Sequence, residues 1–470
     1  MGANGDLATL AAREMAALVR HRQASPVEIV EDVLVRIAVL DPRLNAFAAL
    51  DAEGALAAAR AAEAAVMSGA PLGPLHGVPV TIKDVQAVAG LPTRRGSRLT
   101  DATVAAEDAP AVARLRAAGA VILGKTTTTE QGWTAVSTSP LTGSTDNPWK
   151  PGYTAGGSSS GAAALAAAGC GPLHLGTDGA GSVRLPAHFC GVVGFKPTYG
   201  MVPYVPVPNN GALSHIGPIA RDPADVELML EVMTGPHPAD HTTLPGGFRA
   251  AEAPADLSGL RVAFSPDLGH ARVDPDVAEV VARAARLLAG LGAHVEQVEP
   301  PWGTMGPDLI RALWPAPLFP YAPADEAAET ATDPGLMACL RETGAVSWPV
   351  LHAAQTRRNA YASAIGRWFA EGWDLLLTPS ASVAAFPHGR QVPDHWPAHG
   401  WDWLSWAEFS YPFNLAHCPA VSVPCGLTAS GLPVGLQIAG PRLSDARVMS
   451  AARAFLAASP APVWRSRLPS

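Results

Sequence analysis

The sequence predicts a layered α/β fold built on a largely parallel sheet, and two observations carry that expectation. From Val78 onward, short apolar runs of strand length alternate with longer stretches of helical periodicity. Strands and helices in alternation pack as a sheet covered by helices. Apolar residues fill 48% of the 470 positions and charged residues only 16%, the balance of a chain with a large buried core. The length exceeds the usual size of one core, so composition alone is compatible with two or three domains.

Taken in order, the first 70 residues are alanine-rich, with leucine and valine at helical spacing. They are interrupted at Ser25-Pro26 and Asp41-Pro42. Ser25 followed by Pro26 and Glu28 has the form of an N-cap and first turn. Two or three amphipathic helices, forming an N-terminal arm over 1–70, are expected. VPVTI then reads as a strand. The stretch Asp108 to Gly119 reads as a helix feeding a second strand, AVILG at 120–124. Residues 236–260, rich in Pro, Gly, Ala and His, read as a surface excursion before the strand in LRVAFSPD. A helix, a turn and the strand AHVEQVE follow over 272–300, and LLLTPSA and AVSVPCG are further buried strands. The proline-studded stretch 300–410 is too aromatic for a linker, and a lid or pocket wall is expected there. No internal repeat is visible.

The net charge of -8 and the lack of a basic cluster argue against nucleic-acid binding. No apolar run reaches spanning length, so no membrane association is expected. The opening MGANGDLATL has neither a basic nor an apolar signal region, and Asp6 stands where a myristoylation site wants Ser or Thr. The five cysteines are odd in number and lack metal-ligand spacing, which suits reduced thiols in a cytoplasmic protein.

Chemistry gathers at three places. The chain has only four lysines, Lys83, Lys125, Lys150 and Lys196, and Lys83 sits inside the apolar run HGVPVTIKDV. A buried ammonium is costly, and losing the proton relieves the cost. A neutral lysine is a base, and a base beside a serine activates a nucleophile. Two glycine-rich serine clusters follow: TAGGSSSGAAALAAAG with Ser158, and GTDGAGSVRLP with Ser182. The first, taken alone, is a flexible turn capping an alanine-rich helix, yet three consecutive serines exceed what one cap needs. In the second, Gly179, Ala180 and Gly181 are small enough to bring backbone N–H groups close to a developing oxyanion. Asp178 and Arg184 flank that turn as a bracing ion pair.

Other patterns fail on context. GAVILGKT (119–126) has the letters of a phosphate loop, but its interior is itself a strand. GSSSG (157–161) has the letters of a nucleophile elbow, but DNPWKPGYTAG before it offers no apolar strand. His395, His399 and Asp402 have metal-like spacing, but DHWPAHGWDW is a poor helix, and no metal is expected. There is no S-x-x-K pattern, which argues against a β-lactamase arrangement.

Lys83, Ser158 and Ser182, in that order and with glycine on both sides of the serines, resemble the amidase signature family. SPVEIVEDVLVRIAVLDPRLNAF, GFKPTYG, SHIGPIARDPADV and PAVSVPCGLTASGLPVGLQIAG resemble its N-terminal helices and later core. The resemblance covers most of the chain and is weakest over about 236–378. It implies an α/β/α fold, with one long, twisted, mixed and mostly parallel sheet in a single domain over 1–470. It also implies amide hydrolysis by a Ser-cisSer-Lys triad without a cofactor. Ser182 is then the nucleophile, Ser158 the relay after a cis Gly157–Ser158 bond, and Lys83 the base. The N–H groups of 179–182 form the oxyanion hole, with Ser159, Asp178 and Arg184 in support.

The chain departs from the family pattern at Ser160 and Ala180, where glycine is usual, and at Thr127, where asparagine is usual. The segment holding Gly132 and Trp133 lines the leaving-group side in relatives, and both are expected near the pocket. The tryptophans between 396 and 406 are expected to form an aromatic wall that favours apolar or aromatic amides over glutamine. Carbamates and esters are side substrates of the same chemistry. A dedicated carbamate hydrolase (urethanase), a catalytically inactive binding protein and a glutamine-hydrolysing transamidation subunit remain as alternatives. The expected partner is a small-molecule amide or carbamate, with the chain a monomer or homodimer.

Overall fold

The computed structural model describes residues 7–208, 210, 212–251, 256–344 and 346–459. Its main sheet is built from β1 (Phe47–Leu50), β2 (Pro79–Lys83), β3 (Val121–Thr126), β4 (Leu173–Asp178), β5 (Val193–Lys196) and β6 (His215–Ala220), continuing with β7 (Arg261–Phe264), β8 (His294–Gln297), β9 (Leu375–Pro379), β10 (Ala420–Leu427) and β11 (Pro433–Ala439). Across the sheet they run β1-β3-β2-β4-β6-β5-β10-β11-β9-β7-β8. β2, β3, β4, β6, β9 and β11 are buried along their whole length. That burial explains why their sequences are near-continuous apolar runs and not alternating ones.

The sheet is mixed, but it is not mostly parallel as expected. β2 is parallel to β3 and β4, and β7 is parallel to β8 and β9. The remaining neighbours are antiparallel. Helical crossovers make the parallel pairs: the helix Pro110–Ala117 lies between β2 and β3 in the chain, and Pro275–Gly290 between β7 and β8. In the middle a short turn folds β10 directly onto β11, and a short connection can only give an antiparallel pair.

The N-terminal helices Ala12–Arg20, Pro26–Leu44 and Ala52–Ser68 bury their apolar faces in the core, and β1 closes one edge of the sheet against β3. This segment is therefore integrated, not a projecting arm. Ser25 caps its helix as expected: its Oγ accepts the Val27 N–H at 3.0 Å, and Glu28 accepts the Ser25 N–H at 2.9 Å. No helix of the described residues is long and apolar enough to cross a membrane.

Two segments decide where the chemistry sits. The phosphate-loop look-alike is strand β3, and its Lys125 pairs with Asp84 at 3.0 Å. A strand does precede GSSSG, over Lys150–Thr154, but it belongs to a separate two-stranded hairpin and not to the main sheet. The helix Ser160–Ala168 that follows is buried on every side, which explains its run of alanines.

Its second residue, Gly161, presses against the chain so closely that a Cβ there would lie 2.0 Å from the Ala46 carbonyl oxygen and 2.8 Å from the Thr127 nitrogen. Backbone on both sides cannot yield cheaply. Gly161→Ala is expected to cost about 2 kcal/mol or more of stability. Urea unfolding should show this as a lower midpoint at unchanged slope.

Candidate active site

The C-terminal ends of β2 and β4 and the start of the Ser160–Ala168 helix converge beneath one cavity of about 370 Å³. Lys83, the last residue of β2, is completely buried. Its Nζ is hydrogen-bonded to Ser158 Oγ at 2.7 Å and to Thr177 Oγ1 at 3.0 Å, with the Thr177 carbonyl at 3.4 Å. Burial pushes its pKa down to about 7, against an opposing pull from the Asp178 carboxylate. The surroundings of Lys83 therefore permit a neutral amine near physiological pH.

Ser158 follows a cis Gly157–Ser158 peptide. The next N–H, of Ser159, donates to the Ser182 carbonyl at 3.1 Å, which ties the two serine loops together. Ser159 Oγ donates to the Thr177 carbonyl at 3.2 Å and so fixes the loop to β4. Ser158, Thr177, Gly179 and Ser182 all face the same cavity.

The turn carrying Ser182 is held from beneath. Asp178 and Arg184 form a fully buried ion pair at 2.8 Å. Burial opposes the Asp178 charge, yet the Arg184 guanidinium, with the Lys196 charge and the Asn414 amide, holds its pKa far below the carboxylate range. Arg184 also donates to the Ser410 carbonyl at 2.8 Å, to Gln437 Oε1 at 2.7 Å and to Asn414 Oδ1 at 2.6 Å. Ser410 Oγ donates to the Ala180 carbonyl at 2.6 Å. Of the three residues expected to offer N–H groups to an oxyanion, Gly181 is otherwise engaged: its N–H donates to Asp178 Oδ1 at 2.8 Å. Charge attraction wins that donor for the brace. The N–H groups of Gly179, Ala180 and Ser182 meet no acceptor among the described residues.

Gly132 borders the cavity with a left-handed backbone (φ +73°), and a Cβ on it would lie 3.2 Å from Ser158 Oγ. A side chain at 132 would crowd Ser158. Trp133, expected beside it in the pocket, is instead fully buried in an apolar cluster, and its carbonyl accepts the indole N–H groups of Trp314 at 3.0 Å and Trp403 at 3.1 Å. Trp396, Trp401, Trp403 and Trp406 pack in that same cluster and do not wall the serine cavity. Within 300–410, the part that does so is the segment from Trp314 to Tyr321. His395 pairs with Asp274, Asp402 with Arg311, and His399 faces Glu342, so the three residues with metal-like spacing point to different partners. Of the two departures nearest the serines, Ser160 has a buried Oγ with no partner among the described residues, and Ala180 is packed in the apolar cluster.

Thr177, Arg95, Gln131, Tyr204 and Trp314 also line the cavity or touch Lys83, beyond the residues to which the sequence points. Thr177 stands within the GTDGAGS run, so a signal for it was present. The others come from distant segments and carry none.

This architecture defines an amide-hydrolysing enzyme class: the chain belongs to the amidase signature family, whose model, described as Amidase, matches residues 28–449. Among individual proteins, it is 39% identical to an acylamidase of Rhodococcus erythropolis over 98% of this chain and 97% of the relative. It is 36% identical to a glutamyl-tRNA(Gln) amidotransferase subunit of Acidothermus cellulolyticus over 96% of this chain and 95% of that one. In structure it is similar to a bacterial aryl acylamidase (TM-score 0.89, 28% identity, 97% of each chain). It is also similar to 6-aminohexanoate cyclic dimer hydrolase (TM-score 0.87, 28% identity, 98% of this chain and 99% of that one).

Removing Arg184 leaves a buried carboxylate without its counter-charge. Arg184→Ala is expected to lose about 3–5 kcal/mol of stability. A thermal melt within a degree of the parent would contradict the bracing role.

Proposed function

We propose that the chain hydrolyses the C–N bond of amides with an apolar or aromatic acyl group, through an acyl-enzyme on Ser182. The observation that carries the reading is the 2.7 Å contact between a fully buried lysine and Ser158, in a cavity shared with Ser182. Ser182 Oγ attacks the carbonyl carbon and passes its proton to Ser158, whose own proton goes to neutral Lys83. The carbonyl π electrons move to oxygen, where the N–H groups of Gly179, Ala180 and Ser182 stabilise the charge. Collapse breaks the C–N bond as the proton returns through Ser158 to the leaving nitrogen. Water then adds along the same relay, releasing the acid and restoring Ser182. Thr177 Oγ1 holds Lys83 Nζ on line with Ser158.

The substrate preference rests on the cavity wall. Trp314, Leu318, Tyr321 and the prolines 317 and 320 give it an apolar side, and among the described residues no carboxylate lines it. A glutamine substrate needs a partner for its ammonium, and this lining supplies none. Carbamates share the acylation chemistry and are slower substrates. A glutamine-hydrolysing role is the second reading, favoured by the 36% identity to an amidotransferase subunit.

Ser182→Ala is expected to lower kcat about a thousandfold or more while the protein stays folded. A fluorophosphonate should add mass to the peptide carrying Ser182, and an adduct confined to another serine would sink the assignment. Because the lysine must be neutral to accept a proton, kcat/KM should fall as pH drops below about 7, the value to which burial lowers Lys83. A flat acid limb would contradict the base assignment. With the isolated chain, kcat/KM should rank an anilide above an aryl carbamate and both above glutamine. Glutamine as the best of the three would favour the amidotransferase reading.

A further inference from the structure

Among the described residues, Arg95 is the one charged residue lining the cavity above Ser158 and Ser182. Its guanidinium has no ion pair and no hydrogen bond among the described residues, although the chain has an excess of acidic groups to offer. Its neighbours show how much structure is committed to placing it. Asp84, next to Lys83, accepts the Arg94 N–H at 3.2 Å through its carboxylate and the Arg95 N–H at 3.1 Å through its carbonyl. Asp84 is itself paired with buried Lys125, whose Nζ also binds the Pro92 carbonyl at 3.2 Å and Thr93 Oγ1 at 3.0 Å. A buried ion pair thus holds the turn that carries Arg95.

The Arg95 backbone is left-handed (φ +53°), as is that of Gln131 (φ +52°), and the Gln131 N–H donates to the Arg95 carbonyl at 2.8 Å. Two strained non-glycine residues locked together at a cavity wall are held there by their surroundings and not by local preference. Gln131 Oε1 is buried without a donor among the described residues. The wall therefore offers a free guanidinium and an unpaired amide oxygen side by side.

Its position relative to the reaction follows from Gly132, which joins this wall to Ser158 Oγ. On the proposed mechanism Ser158 protonates the leaving nitrogen, so the Arg95–Gln131–Gly132 wall faces the amine half of the substrate. Gly179, with its oxyanion N–H, lies against Ser214 and Trp314 instead: a Cβ there would meet Ser214 Oγ at 3.2 Å and the indole ring at 3.3 Å. The acyl half thus faces the apolar side.

We propose that Arg95 is a specificity-determining residue that binds a carboxylate on the amine half of the substrate. The class of substrate is then an N-acyl amino acid or N-acyl aminobenzoate with an apolar acyl group. Hydrolysis breaks the C–N bond with one water, giving a carboxylic acid and the free amino acid. Guanidinium suits this task because its fixed fork matches a carboxylate and its charge persists at any working pH. The inference rests on the acyl-enzyme reading given above.

The test uses the full chain and a matched pair: an N-acyl-4-aminobenzoate and the same compound with the carboxylate replaced by a neutral carboxamide. The ratio of their kcat/KM values is compared between the parent and Arg95→Asn, since asparagine tolerates the left-handed backbone. Comparing ratios cancels the intrinsic reactivity of the two amides. The expected result is a ratio that falls roughly tenfold or more in Arg95→Asn, chiefly through KM, and is partly kept in Arg95→Lys. An unchanged ratio in Arg95→Asn overturns the proposal. Labelling of Ser182 by a fluorophosphonate separates the two levels: a labelled enzyme with an unchanged ratio refutes only the carboxylate site. An enzyme that neither labels at Ser182 nor turns over either compound refutes the catalytic reading beneath it.

Discussion

A single constraint organises the site: an amine buried at the end of a central strand with hydroxyl and carbonyl groups, and among the described residues no carboxylate, within hydrogen-bonding reach. The adjacent strand shows the alternative. β2 and β3 run parallel, with Ile82 opposite Lys125 and Lys83 opposite Thr126, so two buried lysines lie near the ends of neighbouring strands. Lys125 has a carboxylate at 3.0 Å, which favours its charged form against the effect of burial. Lys83 has Ser158 and Thr177 in place of that carboxylate, and burial then acts on its proton. Nearly the same position in the sheet yields a strut in one case and a candidate base in the other. Burial lowers both lysines, and the carboxylate beside Lys125 opposes that shift directly where Lys83 has hydroxyl partners.

The serine turn depends on contacts that span the chain. Arg184 is fixed by Asp178 six residues away and by Ser410, Asn414 and Gln437 more than two hundred residues away. The proposed oxyanion donors are thus positioned by a buried polar cluster whose every member must be in place, which is a reason for so large a fold to surround so small a site. The same cluster withdraws the Gly181 N–H from the substrate by giving it the Asp178 carboxylate. Positioning and catalysis compete for one set of donors, and the geometry divides them.

Some of this was legible in the sequence because the relevant signals are local. A lysine in an apolar strand, a glycine-serine turn before an alanine helix and a second glycine-serine turn each declare their backbone within a few residues. Those signals make Lys83, Ser158, Ser182, Asp178 and Arg184 stand out, while the roles of the lysine and the two serines come from the resemblance to the amidase signature pattern and not from the turns themselves. The aromatic residues were not placed correctly. Trp133, Trp403 and Trp406 are core residues, while Trp314, packed in the same cluster, also walls the cavity. Which tryptophan meets the cavity is decided by how segments hundreds of positions apart cross the sheet. Strand direction is not legible in the sequence for a related reason. Apolar runs reveal burial, but only the connection between strands decides whether they run parallel.

The central claim, that burial leaves Lys83 neutral near physiological pH, can be measured directly because the chain contains only four lysines. Labelling lysine side chains with carbon-13 at Cε should give four resolvable signals, and Lys83→Met identifies the one that belongs to Lys83. The account predicts that this signal titrates with a midpoint near 7, where burial places it. A midpoint near 10, the value of an ordinary exposed lysine, would contradict the account.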